Sequence, residues 1–201
     1  MQVKRPTGWP PVLAAGLAAG VVAGLLAGAA FVRQGRLAGE TVQGWTTNPL
    51  TGSPGADPWT RAQVASAGLL ALSRKETVYY AIDRDSAGRR LSEACVYRLT
   101  GGPLPARWWS VTLYDSEGYL ARNGQSAHSV DATRVGDAER WEARIAADGG
   151  AKPGQIVISS RNAGDFNLTL RLYNPDPGFL DRPGSAAFPR VVRLSCGAPH
   201  A

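Results

Sequence analysis

The feature that most constrains this chain is an uncharged apolar segment close to its N-terminus. Pro11 to Val32 read PVLAAGLAAGVVAGLLAGAAFV, which is 22 residues without an ionisable side chain. An α-helix of that length spans about 33 Å, and the hydrocarbon core of a bilayer is about 30 Å thick. The segment is apolar on every face, as is typical of a helix surrounded by lipid. The sequence therefore predicts a single transmembrane helix over residues 11–32.

The charges that flank this helix predict its direction. Lys4 and Arg5 precede it together with the amino terminus, whereas Arg33 and Arg36 follow it. The positive-inside rule then favours a cytoplasmic segment over residues 1–10, a single pass through a bacterial inner membrane, and a periplasmic domain. A cleaved signal peptide is the alternative, because residues 27–29 have the small side chains of a cleavage site. The apolar stretch exceeds the core of about 7–15 residues of a usual signal peptide, which favours a retained signal-anchor.

Four glycines recur at every fourth position of the predicted helix: Gly16, Gly20, Gly24 and Gly28. They share one helical face, where small residues let a second helix approach closely. This spacing predicts homo-oligomerisation through the membrane helix. An anchor rich in Ala and Gly also produces such spacing without any pairing, so both interpretations stay open.

A polar, irregular segment separates the apolar helix from the rest of the chain. Residues 33–56 are rich in Gly, Pro, Thr and Asn, which predicts a linker with Trp45 at the membrane interface or on the domain surface. A helix over residues 59–73 should follow, with Asp57 as its N-cap and Pro58 in its first turn. We expect its apolar stripe to cover a sheet of an extracytoplasmic domain over residues 57–201.

The remaining chain has the period-two alternation of β-strands. Residues 76–83 and 90–100 flank turn residues, which predicts a hairpin, and residues 107–115 and 165–173 have the strongest strand patterns. Shorter segments and a final strand are predicted at residues 119–122, 127–130, 140–145, 155–160 and 190–196. Eight or nine short strands favour a mainly β fold, an antiparallel β-sandwich of jelly-roll type behind one covering helix.

The chain has two cysteines, Cys95 on a predicted early strand and Cys196 on the last one. Two thiols in an exported domain usually pair, so we expect a disulfide that requires the two strands to be neighbours. Two free buried thiols are the alternative. Two cysteines without nearby histidines do not form a closed metal site, and the sequence predicts neither a metal nor another cofactor.

The two strongest strands each have one apolar and one polar–aromatic face. If they lie side by side, the second faces combine into one surface that suits a sugar or another polar organic ligand. The alternative is a solvated sheet face with cross-strand pairs. The predicted ligand-binding residues are Trp108, Thr112, Tyr114, Thr169, Arg171 and Tyr173.

The pattern of these strands resembles one known family, the domain of unknown function 1214 family. The residues that carry the likeness are Trp109–Asp115, Asn123, Leu170–Pro175, Phe188–Pro189 and, upstream, Asp57–Trp59, Arg61–Ala62, Glu76, Tyr79 and Asp83. The resemblance covers residues 57–195 and implies a β-sandwich of jelly-roll type, which in larger bacterial proteins often accompanies a second β-domain. The family usually has an Asn-Trp-Leu-Pro-like segment where this chain has Arg161–Gly164.

Neither the net charge nor the ionisable residues of the chain indicate a nucleic-acid partner or a recognisable catalytic motif. The net charge is +6, but the basic residues are scattered singly or in pairs, so we expect no nucleic-acid partner. His128 has Ser126 and Asp131 near it in sequence, and Asp115 with Glu117 flanks a turn at Gly118. Neither arrangement has the spacing of a recognisable catalytic motif, and His200 lies near the chain end.

The sequence therefore favours a non-catalytic binding or scaffolding module of the cell envelope. Its partner would be an envelope polymer, a sugar or a protein. An envelope enzyme that acts on carbohydrate or lipid is the first alternative, with its site on the face of Arg171 and Tyr173. A structural protein that assembles through its glycine-rich helix is the second.

Overall fold

The structure, a computed structural model, describes residues 11–34, 39–66, 72–124, 126–147 and 152–197. Its helices are α1 (Pro11–Gln34), α2 (Pro58–Ser66), α3 (Ala132–Val135) and α4 (Pro177–Asp181), and a 3₁₀ turn spans Pro183–Ser185. Its strands are β1 (Glu40–Val42), β2 (Trp45–Thr47), β3 (Thr77–Ile82), β4 (Cys95–Gly101), β5 (Ala106–Asp115), β6 (Ser129–Asp131), β7 (Trp141–Ala146), β8 (Ile156–Ser159), β9 (Phe166–Pro175) and β10 (Arg190–Cys196). Lys4, Arg5, Arg36 and His200, which the sequence analysis considered, lie outside the described residues.

The α1 helix confirms the predicted apolar segment. Its portion Pro11–Ala30 has a mean hydropathy of 2.2, and none of it is buried against the rest of the protein. An apolar surface of that extent is unfavourable in water. A membrane anchor and a secretion signal near an N-terminus share these properties.

Six strands form one sheet in the order β1-β2-β3-β9-β5-β6. β9 lies near its centre and pairs antiparallel with β3 on one side and with β5 on the other. The inward side chains of β9 are all buried: Phe166, Leu168, Leu170 and Leu172. β9 and β5 show the clearest alternation in the sequence because each has one face buried in the core and one face of mostly polar, partly exposed side chains.

Four strands form a second sheet in the order β10-β4-β7-β8. β4 pairs antiparallel with both β10 and β7, but β8 runs parallel to β7. The prediction of a wholly antiparallel sandwich is therefore wrong at this edge. Period-two alternation shows which face of a strand is apolar and carries no information about strand direction.

The predicted hairpin between residues 76–83 and 90–100 is also wrong. β3 belongs to the six-stranded sheet and β4 to the other, and the two chain segments pair only through a bridge between Arg84 and Arg90. The turn between them, held by Asp85, carries the chain from one sheet to the other. Adjacent strand patterns joined by turn residues therefore do not distinguish a hairpin from a crossing between sheets.

The core lies between the two sheets. Trp109 of β5 stacks on Trp141 of β7 with ring centroids 4.8 Å apart, and Tyr97 of β4 meets Phe166 of β9 edge to face at 5.8 Å. Such ring pairs add about 0.5–1.5 kcal/mol to the stabilisation that burial alone provides. A Cβ atom on Gly101 would overlap the Trp141 ring, so the stack requires glycine there.

Residues 40–47, which the sequence analysis places in the linker, belong to the sheet. β1 and β2 form a hairpin, and Thr46 of β2 pairs with Ala81 of β3. Trp45 is fully buried instead of lying at the surface, and its indole Nε1–H donates to the carbonyl oxygen of Pro189 at 2.8 Å. Three-residue strands are too short to produce a periodic pattern, so β1 and β2 could not be distinguished from a polar linker in the sequence.

The predicted covering helix is shorter than expected and lies elsewhere. α2 spans nine residues, and residues 67–71 lie outside the described part of the chain. Asp57 caps it as predicted, and the hydrogen bond from the Thr60 hydroxyl is the largest of the contacts that lower the pKa of Asp57. Its main neighbour among the described elements is α1 instead of a strand, and the ring of Trp59 lies beside Gly28.

The predicted disulfide is present. Cys95 and Cys196 are bonded, their Cα atoms lie 3.9 Å apart, and they pair across β4 and β10. The bond closes a loop with a sequence separation of 101 residues and fixes the last strand to the second sheet.

The buried carboxylate of Asp85 contacts β10, the strand that the disulfide also holds. The side chain of Asp85 is 1% exposed and lies 2.9 Å from Arg89 Nε and 3.0 Å from Arg193 Nε of β10; the second contact is an ion pair without hydrogen-bond alignment. Burial alone would raise the pKa of Asp85. The backbone N–H groups of Arg89 and Ala87 and the Arg89 guanidinium outweigh this effect, so the pKa lies below its ordinary value of 3.8.

Acid should destabilise the domain through Asp85. Because its pKa is lower in the folded than in the unfolded chain, the carboxylate contributes stability that is fully present above about pH 3.9. That contribution is lost as the pH falls through the folded-state pKa. Urea unfolding between about pH 5 and pH 2 should therefore show a flatter pH dependence for Asp85→Asn than for the native chain. The exposed Asp181→Asn serves as control, and equal slopes for all three proteins would contradict this role.

Candidate functional site

The structure brings the six predicted ligand-binding residues onto one surface. β5 and β9 are neighbours, so that Trp108 lies opposite Tyr173 and Thr112 opposite Thr169. Side chains directly opposite in such a pair have Cβ atoms about 4.5–5.5 Å apart. We call the outward positions of β3, β9 and β5 the outer face. Its residues are Thr77, Tyr79, Ala81, Asn167, Thr169, Arg171, Tyr173, Trp108, Ser110, Thr112 and Tyr114.

Trp108 forms the aromatic end of the outer face. Its ring centroid lies 5.3 Å from that of Tyr173, and its indole Nε1–H donates to Thr133 Oγ1 at 2.9 Å. The side chain is 36% exposed even though both contacts hold it. A ring that is fixed and yet open to solvent loses little conformational entropy when a ligand stacks on it.

Arg171 lies at the centre of the outer face. Its guanidinium carbon is 5.2 Å from the centroid of the Tyr114 ring and 5.9 Å from that of Tyr79, and Nη2 donates to Tyr114 Oη at 2.8 Å. Cation–π contacts of this kind contribute about 0.5–2 kcal/mol, depending on desolvation. The two rings therefore hold the guanidinium in place across three adjacent strands.

Tyr79 is the aromatic residue of this surface that the sequence did not assign to the site. It lies opposite Arg171 on β3, and the wrong hairpin prediction hid this pairing. Burial and the neighbouring Tyr173 raise the pKa of Tyr79, and Arg171 opposes them in part. The phenol is thus neutral at physiological pH and can donate or accept a hydrogen bond.

The sequence profile of a family described as a protein of unknown function, DUF1214, matches residues 76–177, half of the chain. This chain belongs to that family. The match contains all of the outer face and both strongest strands. It excludes the upstream Asp57–Trp59 and the downstream Phe188–Pro189, which contributed to the resemblance in the sequence.

One solved structure with a TM-score above 0.5 supports the fold of this DUF1214 chain. The VPA0106 protein from Vibrio parahaemolyticus aligns with 68% of this chain and 35% of its own, at 21% identity and a TM-score of 0.53. An uncharacterised protein from Burkholderia cenocepacia aligns with 59% of this chain and 29% of its own, at 13% identity and a TM-score of 0.42. The DUF1214 chain thus spans about a third of the length of these proteins. No curated protein matches it.

Local hydrogen bonds fix the loop Arg161–Gly164, in which this DUF1214 chain departs from the family pattern. Asn162 Nδ2–H donates to the Arg122 carbonyl oxygen at 2.8 Å, and the Gly164 amide donates to Glu93 Oε2 at 2.6 Å. Asn162 and Gly164 both have positive φ, at 61° and 58°. Asn and Gly tolerate this conformation, so the segment has the geometry of a structural turn.

The candidate acid–base residues have structural roles. His128 Nδ1 lies 3.2 Å from the amide nitrogen of Asn123, and Asp131 caps α3 by accepting the Arg134 amide at 3.0 Å. Asp115 Oδ1 accepts the amides of Glu117 and Tyr119, which is an ordinary turn arrangement. Within the described residues, no group of three or more His, Cys, Asp or Glu side chains is placed to hold a metal ion.

A small crevice borders the outer face at Tyr79. Its lining includes Thr51, Arg74 and Tyr80, and its volume is about 10 Å³, which is at the limit for one water molecule. It does not hold an organic ligand. Any such ligand near Tyr79 would therefore lie on the open face of the sheet.

The glycine face of α1 is open along most of its length. A Cβ atom at Gly16, Gly20 or Gly24 would meet nothing within 4 Å, whereas one at Gly28 would meet the Trp59 ring at 3.8 Å. The chain itself thus covers the fourth glycine. Pairing of two helices stays a prediction, and its contact would centre on the first three glycines.

Proposed function

We propose that this DUF1214 protein is a membrane-anchored binding module of the bacterial envelope. α1 would cross the inner membrane with its N-terminus in the cytoplasm and hold the β-domain in the periplasm. The cationic residues Lys4 and Arg5 before the helix support this direction. The disulfide supports an oxidising compartment, because cytosolic thiols are kept reduced.

The observation that carries the binding proposal is the composition of the outer face. Trp108 and Tyr173 form a partly exposed aromatic platform at one end of the outer face. Towards the other end, Tyr114 holds the guanidinium of Arg171, and the hydroxyl groups of Thr112 and Thr169 lie on the row between Arg171 and Tyr114. Rings that stack and polar groups that hydrogen-bond are the usual means of recognising a sugar or another polar organic ligand. The open sheet and the structural roles of the acid–base residues favour binding over catalysis.

The strand order supports the finer assignment of a jelly-roll type. β3, β4 and β5 alternate between the sheets, and the last long strands return beside the first ones, β9 beside β3 and β10 beside β4. Long connections of this kind are characteristic of double-sheet Greek-key folds.

Removing the central guanidinium should abolish binding and leave the fold in place. The test is thermal unfolding of the full chain in mild detergent with a panel of envelope oligosaccharides, measured for the native chain and for Arg171→Ala. We expect a ligand that raises the unfolding temperature of the native chain, because binding stabilises only the folded state. The same ligand should have no effect on the variant. An equal temperature rise for Arg171→Ala would contradict the proposed site.

The matched control is Arg190→Ala. Arg190 is exposed and lies on β10 in the other sheet, so it tests whether loss of any surface arginine has the same effect. This variant should keep the full ligand response.

A further inference from the structure

Trp59 of α2 is exposed although it lies at the contact between α1 and α2. A Cβ atom on Gly28 of α1 would lie 3.8 Å from its ring, and α1 is the main neighbour of α2 among the described elements. With α1 in place, Trp59 is still 54% exposed. Exposure of so large an apolar ring to water is unfavourable, so the environment of α1 decides whether this position is favourable.

The place of Gly28 along α1 gives the depth of the Trp59 ring in a bilayer. The apolar portion Pro11–Ala30 has 20 residues, which as a helix span about 30 Å, the thickness of the hydrocarbon core. Gly28 precedes the end of this portion by two residues, or about 3 Å. If α1 crosses the membrane, the ring beside Gly28 therefore lies where acyl chains meet headgroups. Tryptophan is enriched at this depth in membrane proteins.

The short connection after α1 keeps the domain at the same surface. α1 ends at Gln34 and β1 begins at Glu40, six residues later. Six fully extended residues span at most about 22 Å. β1 pairs with β2, whose Trp45 is buried in the domain core, so the folded domain already begins at β1. The domain therefore starts close to the end of the apolar helix.

Two further exposed apolar side chains belong to the loop segments beside α2. Leu50 is 40% exposed and Leu72 is 41% exposed. A Cβ atom on Gly52 would overlap the carbonyl oxygen of Leu72, so the two segments touch. Arg61 of α2 donates to two carbonyl oxygens of the loop that precedes the helix, at 2.9 and 3.0 Å. We call Leu50, Trp59 and Leu72 the Trp59 patch, because these contacts join them into one unit.

The charges around the Trp59 patch do not favour an acidic polymer as its partner. Residues 48–76 contain three cations and two carboxylates, which gives a net charge of +1. Arg61 bonds the loop, and Arg74 donates to the carbonyl oxygens of Pro49 and Leu180. An apolar patch with little net charge, adjacent to an apolar helix, fits the interface of a lipid bilayer.

We infer that the Trp59 patch lies in the periplasmic interface of the bilayer that α1 crosses. The ring of Trp59 is inserted between headgroups and acyl chains, and the partner is the lipid surface itself. This inference rests on the proposed membrane anchor and adds a second contact between the protein and lipid. The β-domain is thus held against the membrane instead of being suspended from it by a flexible linker.

Brominated lipids test the position of Trp59, because bromine quenches tryptophan emission at short range. The full chain is reconstituted into phosphatidylcholine vesicles with or without bromine atoms near the glycerol end of the acyl chains. Trp9 precedes α1 in the sequence, so it is replaced by phenylalanine in every sample. Of the six tryptophans five then remain, and quenching of one should remove about one fifth of the emission. Bromine atoms near the methyl end of the chains should quench less.

Trp59→Phe is the decisive variant, and Trp108→Phe is its matched control. Each replaces one exposed tryptophan by a smaller ring, the first beside α1 and the second on the outer face. Quenching should disappear in the first variant and persist in the second. Unchanged quenching in Trp59→Phe would assign the signal to another tryptophan and overturn the inference. Stronger quenching by the deeper bromine atoms would overturn the interfacial depth.

Flotation of the same vesicles separates this inference from the proposed anchor. A chain that floats with the vesicles but has equal emission in both lipids would overturn the lipid contact of Trp59 and leave the anchor standing. A chain that does not float would overturn the anchor together with the inference. Quenching should not depend on the protein-to-lipid ratio. Its loss at high ratios would mean that a second copy of the chain covers the Trp59 patch, which would overturn the choice of lipid.

Discussion

Replacing Cys95 and Cys196 by alanine should lower the free energy of unfolding of the full chain by about 4–5 kcal/mol. The disulfide closes a loop with a sequence separation of 101 residues, and a cross-link of that length strongly reduces the conformational entropy of the unfolded chain. Single domains unfold with a total of about 5–15 kcal/mol, so this loss would leave the protein marginal. Urea unfolding followed by tryptophan fluorescence measures it, in detergent and at one protein concentration.

Reduction of the native chain provides the matched control, since it opens the loop without removing either side chain. The reduced protein and the double variant should agree within about 1 kcal/mol. Both should also unfold with a larger m value, because an uncross-linked unfolded chain exposes more surface. A loss below about 1 kcal/mol in both would show that the bond does not determine the stability of the domain.

The second large effect is expected at the centre of the core. Leu170 is fully buried on β9, between Tyr80 of β3 and Val111 of β5. Leu170→Ala should reduce the free energy of unfolding by about 2–5 kcal/mol, the sum of the lost burial and the cavity that the rigid neighbours leave. The same urea experiment measures this change.

Leu194 supplies a control of the same chemistry. The register of β10 shifts between Arg193 and Ser195, and this bulge leaves Leu194 54% exposed. Leu194→Ala should change the stability by no more than about 0.5 kcal/mol. Equal losses at the two leucines would mean that the two-sheet packing described above is incorrect.

The bounds and the inward faces of the two strongest strands could be predicted from the sequence. The predicted residues 107–115 and 165–173 differ from the bounds of β5 and β9 by one or two residues. Their inward and outward faces also agree with the structure, because period two records burial directly. The disulfide followed from the number of cysteines and the expected compartment.

What the sequence did not reveal are pairings between distant segments. Tyr79 joins the outer face only because β3 pairs with β9 across about 90 residues of chain, and local alternation contains no such information. The buried Trp45 donates to the carbonyl oxygen of Pro189, near the opposite end of the domain sequence. The parallel direction of β8 has a different cause: β8 pairs with β7, its neighbour in sequence, and alternation does not record strand direction. Local patterns predicted the elements, and long-range packing determined their neighbours.

The most direct test of the outer face uses the tryptophan indoles of the full chain, labelled with ¹⁵N. Trp108 lies on the outer face, Trp109 on the core side of the same strand, and Trp45 and Trp141 donate to buried or partly buried carbonyls. On titration with the envelope oligosaccharide that raises the unfolding temperature of the full chain, the indole signal of Trp108 should move while those of Trp45 and Trp141 stay in place. A ligand that shifts the latter two and leaves Trp108 unchanged would contradict the outer face as the binding site.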